Sequence, residues 1–60
     1  MNGDIKKSII DKITAALNAI NEAQEIADKS AAAGFDTTAM QTSIDTRRRE
    51  VQRLKQAFGV

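Results

Sequence analysis

The chain has 60 residues, a net charge of +1, and no Cys, His, Trp, Tyr or Pro. So short a chain supports one small domain at most, and the missing thiols and imidazoles exclude disulfides and argue against a zinc site. Because His and Cys also supply the usual base and nucleophile of covalent catalysis, we expect neither an enzyme nor a bound cofactor or metal ion.

The first predicted element is an amphipathic helix from about residue 5 to residue 32. Its apolar residues recur at steps of three and four, as at Ile9, Ile13 and Ile20, which is the period of one helix face. A second row, which contains Ile26, flanks this stripe. Either the helix contacts two neighbours, or the alanines of that row are there only because alanine favours helix.

A turn is expected at residues 33–36, because Gly34 can adopt the left-handed conformation that ends a helix. Asp36 is the expected N-cap of the next helix, since its side chain can accept hydrogen bonds from free backbone N–H groups. Thr38 and Gln41 form a rival capping box, which would start that helix two residues later.

The second helix is predicted from about residue 37 to residue 58. Its apolar stripe consists of Met40, Ile44, Val51, Leu54 and Phe58. Folding the chain back at Gly34 places opposite each other residues whose numbers sum to about 70. The predicted fold is therefore all-α, a single domain 1–60 built as an antiparallel two-helix hairpin.

Such a hairpin is expected to self-associate. The first helix is longer by about 9 Å, which leaves Ile5 and Ile9 without cover, and one helix seam barely offsets an ordering cost of about 1.5 kcal/mol per residue. A dimeric four-helix bundle is the simplest solution, although a higher oligomer or an obligate complex with another protein satisfies the same argument. The expected oligomer or partner interface comprises Ile5, Ile9, Ile13, Ile20, Ile26, Ile44, Val51, Leu54 and Phe58.

Arg47 is the one charged residue on the apolar stripe of the second helix. A buried arginine needs an acceptor, so we expect a polar layer of Arg47 with Gln24 or Glu22, across the hairpin or across a dimer. The alternatives are that Arg47 extends outward along its aliphatic stem or binds an anion inside an oligomer.

The only cluster of like charge surrounds Arg48, Arg49 and Arg53. These residues could contact the phosphates of a nucleic acid or a nucleotide. Asp45 and Glu50 interrupt the cluster, and no Tyr or Trp is present to stack on bases. A solvated face with local ion pairs is therefore the favoured interpretation.

The leading functional hypothesis is a small, cytoplasmic, non-enzymatic protein that binds itself and another protein, as a regulator, inhibitor or assembly factor of the phage or mobile-element type. The first alternative is binding of RNA or a phosphorylated ligand by the basic face of an assembled bundle. The second is a structural subunit of a larger helical assembly. No membrane contact is expected, because no apolar run approaches the roughly 20 residues of a membrane span.

Overall fold

The computed structural model describes the backbone of residues 2–60 and the side chains of residues 3–60. Two helices, α1 (Asn2–Ala32) and α2 (Thr38–Phe58), pack against each other. The described chain contains no strand, and the prediction of an all-helical two-helix fold is confirmed. α1 begins three residues before the expected start, and Asp4 in its first turn suits the positive end of the helix dipole.

The turn after α1 is a Schellman motif centred on Gly34. This glycine has φ +92°, in the left-handed region. Its N–H donates to the carbonyl oxygen of Ala31 at 3.0 Å, and the N–H of Phe35 donates to that of Ser30, also at 3.0 Å. These two bonds satisfy carbonyl groups that the end of a helix leaves without partners.

The Schellman motif also sets the register of the hairpin. The hydrogen bond from the N–H of Phe35 to the carbonyl oxygen of Ser30 reverses the direction of the chain within the motif. Farther along the seam, Gln24 on α1 is hydrogen-bonded to Gln41 on α2. The residue numbers of this bonded pair sum to 65, which is lower than the predicted sum of about 70.

The C-terminus of α2 repeats this motif. Gly59 has φ +69°, its N–H donates to the carbonyl oxygen of Gln56 at 3.3 Å, and the N–H of Val60 donates to that of Lys55 at 2.9 Å. The motif folds Val60 back, so that its side chain packs against the hydrophobic core. Val60 thus contributes to the core.

The start of α2 lies one residue after the one predicted with Asp36 as N-cap, and the rival capping box of Thr38 and Gln41 is not formed. Thr37 occupies the N-cap position, and its carbonyl oxygen accepts from the N–H of Gln41 at 2.9 Å, but its side chain makes no capping bond. The capping acceptor is Asp36, whose Oδ1 accepts from the backbone N–H of Thr38 at 3.0 Å and from its hydroxyl at 2.7 Å. These two bonds lower the pKa of Asp36 below its usual 3.8, the backbone bond having the larger effect.

The Asp36 cap predicts a pH-dependent contribution to stability. Because the folded-state pKa is lowered, the contribution is present above pH 3.8 and is lost as the pH falls through the lower folded value. Asp36→Ala should therefore melt below the wild type at neutral pH, and the gap should close in strong acid. Asp36→Asn keeps an acceptor oxygen that does not titrate and serves as the control. A gap between wild type and Asp36→Ala that stayed constant down to strong acid would contradict this role.

The core is one seam of side chains between the two helices. Ile13, Ile20 and Ala27 of α1 are buried against Ile44 and Val51 of α2. The hairpin measures 50 × 16 × 10 Å, which is only one helix diameter in its thinnest direction. Within residues 3–60, no second layer covers the seam from above or below. Neither α1 nor α2 is long and apolar enough to cross a bilayer.

Candidate interaction face

The flat hairpin has two broad faces, and a groove runs along one of them, here called the groove face. Its central part has a volume of about 410 Å³. A second hollow of about 390 Å³ continues it toward the turn. The lining residues are Ala16, Ala19, Ile20, Ala23, Ala39, Met40, Ser43, Ile44, Arg47, Glu50, Val51 and Leu54.

The groove has an apolar lining and open sides. Alanines of α1 form one side of it, while Met40 and Leu54 of α2 remain 37% and 47% exposed. Rows of small side chains next to large ones form the grooves into which the ridges of another helix can pack. The groove face is therefore shaped to receive helical side chains rather than to enclose a small molecule.

Two opposite charges lie on the groove face. Arg47 and Glu50 are both exposed and both line the groove, three residues apart on α2. Within residues 2–60 neither forms an ion pair. The groove face thus carries one positive and one negative group, both of them open to a second molecule.

The hairpin does not form the expected polar layer of Arg47 with Gln24. Gln24 lies two helical turns after Leu17 on the other broad face, here called the clamp face, whereas Arg47 lines the groove. Gln24 is instead paired with Gln41, and Arg47 is exposed. The helical period places a residue on the stripe but does not decide toward which flank its side chain leans.

The clamp face carries a nearly symmetric network of two amides and two carboxylates. Gln24 Nε2 donates to Gln41 Oε1 at 2.8 Å, and Gln41 Nε2 donates back to Gln24 Oε1 at 3.0 Å. Each amide also donates to the aspartate four residues later on its own helix, Asp28 at 2.9 Å and Asp45 at 3.0 Å. The sequence signal for this clamp is the repeated Gln-x-x-x-Asp spacing, which the sequence analysis did not recognise.

The glutamine clamp predicts strong coupling between its two amides. Gln41→Leu removes the partner of the half-buried Gln24 on the other helix but leaves its bond to Asp28, and should cost about 0.5–1.5 kcal/mol, whereas replacing both residues with Leu should be nearly neutral. A double-mutant cycle on urea unfolding measures this coupling directly. Single costs that simply add in the double variant would show that the two amides do not act as a pair.

The three candidate phosphate-binding arginines do not converge on one site. Arg48 is half-buried, and its Nη1 lies 3.8 Å from Asp45 Oδ1. Arg49 donates from Nη2 to Thr46 Oγ1 at 3.5 Å. Arg49 and Arg53 share a shallow hollow with Glu50, whose carboxylate opposes an anion there.

The open end of the hairpin presents large apolar side chains. Ile5 is 62% exposed and Phe58 is 52% exposed, and with Ile9 and Val60 they line a hollow of about 290 Å³. Ile9 is not uncovered as expected, because it is half-buried against the core. The true register carries the end of α2 farther along α1 than the predicted register did.

The nine predicted interface residues divide into two groups. Five lie in or against the seam of the single chain, namely Ile9, Ile13, Ile20, Ile44 and Val51. Four are exposed, namely Ile5, Ile26, Leu54 and Phe58. Of the nine, only the second group leaves large apolar surface open to another molecule. Ile10, Phe35 and Met40, which were not predicted for the interface, are also exposed.

No protein-family model matches the chain, and comparisons with curated proteins and with solved structures return no match. Residues 2–60 contain no cluster of acidic side chains that could hold a metal ion.

Proposed function

We propose that the protein is a non-enzymatic homo-oligomer, most simply a dimeric four-helix bundle, that acts by binding another protein as a regulator, inhibitor or assembly factor. The observation that carries this proposal is the large surface left uncovered by a single hairpin. A second copy of the chain is the first candidate to cover this surface, because it is always present at a matching concentration.

The accessible surface is too large for a stable, compact monomer of this mass. The hairpin exposes 4779 Å². A compact monomer of 6.5 kDa should expose only about 3,800 Å² by the usual scaling of area with mass. The excess is about 1,000 Å² per chain, and a typical stable interface buries about 800 Å² on each partner.

The character of the uncovered surface favours a protein as the ligand. The groove is lined mainly by apolar side chains. Of the arginines that would have to hold a phosphate, Arg48 is beside Asp45, and Arg49 and Arg53 share their hollow with the carboxylate of Glu50. A helix that lies in an apolar groove is a common mode of protein recognition. The proposed partner interaction is therefore a helical contact with little dependence on salt.

Dilution tests the proposal. Light scattering should give the mass of two chains at micromolar concentration, and the helical circular dichroism signal should fall along with the mass on dilution to nanomolar concentration. A compact single chain that still melts cooperatively at nanomolar concentration would overturn it. Binding of another protein is tested separately, by intact-mass measurement of tagged protein purified from its host. A different protein at fixed stoichiometry is expected in the complex.

A further inference from the structure

The proposed self-association can be carried further, to a specific arrangement of two copies. We propose that the groove face packs on the groove face of a second copy, with like helices antiparallel and the twofold axis perpendicular to them at the level between Arg47 and Glu50. This inference rests on the proposed homo-oligomer and adds its geometry, its central contacts and its polarity.

The helix lengths indicate where the axis lies. Leu17 is the middle residue of α1 and Arg48 is the middle residue of α2. In the observed register these two residues lie at the same level, because opposing residue numbers sum to about 65. α1 therefore extends beyond α2 by about 7 Å at each end. A twofold axis at this level lets both helices of one hairpin overlap their counterparts along the whole length.

The charges on the groove face match this axis. Arg47 and Glu50 lie on either side of the level midway between them, each about 2 Å away along α2. A twofold rotation there places Arg47 of each chain against Glu50 of the partner subunit, so two opposite-charge pairs form. If the twofold axis ran parallel to the helices instead, α2 would face the alanines of α1 in the other chain. Arg47 and Glu50 would then have no oppositely charged partner.

The side-chain sizes at the two ends support the same polarity. The open end carries the exposed Phe58, and the turn end carries the hollow bordered by Ala39 and Ser43. Phe58 and Ala39 lie at nearly equal distances from the axis, in opposite directions. The antiparallel arrangement thus seats the phenyl ring of each chain at the small residues of the other, as interdigitated packing requires.

Charge reversal tests the arrangement. Arg47→Glu and Glu50→Arg each place like charges at both contacts, and each should raise the dimer Kd by at least about tenfold in sedimentation at low salt. Restoring opposite charges in the double variant should return the Kd to within about threefold of the wild type. Arg53→Glu changes the net charge by the same amount outside the groove face and should stay within about threefold.

Mixing the two single variants gives a decisive readout. The chains with Arg47→Glu and with Glu50→Arg repel their own kind but present opposite charges to each other at both contacts. The mixture should therefore form a heterodimer at concentrations where each variant alone is monomeric. Because the mixture restores binding without a further substitution, a heterodimer there shows that the weak binding of each single variant comes from like charges and not from loss of folding.

The outcomes separate the arrangement from the proposed function. A wild-type chain that stays monomeric at every concentration overturns the homo-oligomer itself. A wild-type dimer whose Kd is unchanged by Arg47→Glu and Glu50→Arg, or is not rescued by the double variant or the mixture, overturns only the arrangement. Tight binding in the mixture with weak binding of each single variant supports both.

Discussion

Ile44→Ala is expected to abolish most of the helical structure at micromolar concentration. Ile44 is only 4% exposed and packs in the centre of the single seam. Truncating a buried isoleucine to alanine costs about 2–5 kcal/mol, and small domains have total stabilities near the lower end of 5–15 kcal/mol. Far-UV circular dichroism with urea unfolding at fixed protein concentration measures the loss.

Ile26→Ala is the matched control, because it makes the same change at a side chain that is 58% exposed in the hairpin. Its expected cost is well below that of Ile44→Ala. If the two variants lost equal stability, the seam of Ile13, Ile20 and Ile44 would not be the main source of folding energy. Ile26 would then have to be covered in the working protein, which is one of the two interpretations that the sequence left open for its row.

Leu54→Asp is expected to prevent association, and with it the helical signal that depends on association, although it replaces none of the buried residues of the seam. Leu54 borders the groove and is 47% exposed, so an aspartate there is hydrated in the separate hairpin. In a groove-to-groove contact the new carboxylate loses its water and lies near Glu50. Because burying an unpaired charge costs several kcal/mol, the Kd should rise at least about a hundredfold.

Ile10→Asp provides the control on the opposite side. Ile10 is 41% exposed and lies on the clamp face beside Leu17 and Lys55. Its replacement should change the dimer Kd by no more than about threefold when both variants are compared by sedimentation. Dissociation by Ile10→Asp, together with an intact Leu54→Asp dimer, would assign the interface to the clamp face.

The two helices and the break between them follow from local sequence features. The three- and four-residue period marks the buried stripe, and Ile13, Ile20, Ile44 and Val51 are indeed in the seam. Gly34 marks the turn because few other residues adopt a positive φ at low cost. These features are readable because each depends on residues within one or two turns of the chain.

The flanks of the stripe were harder to predict. Gln24 and Arg47 both lie beside the stripe, and the helical period alone allows them to meet. They do not meet, because Gln24 leans toward the clamp face and Arg47 toward the groove face. Neighbouring residues lie about 100° apart around a helix. A shift of one position along a helix is therefore enough to decide whether Gln24 meets an arginine or a glutamine.

By itself, the sequence determined that the chain forms two amphipathic helices, that it turns at Gly34, and which residues form the apolar stripe. Only the tertiary structure decided the register, the cover that Val60 gives to the core, and the groove that carries Arg47 and Glu50. The physical reason is one of range. Helix period and glycine conformation depend on residues that are close in sequence. Register depends on how the two helices pack against each other after the Schellman turn, where Phe35 is bonded to Ser30.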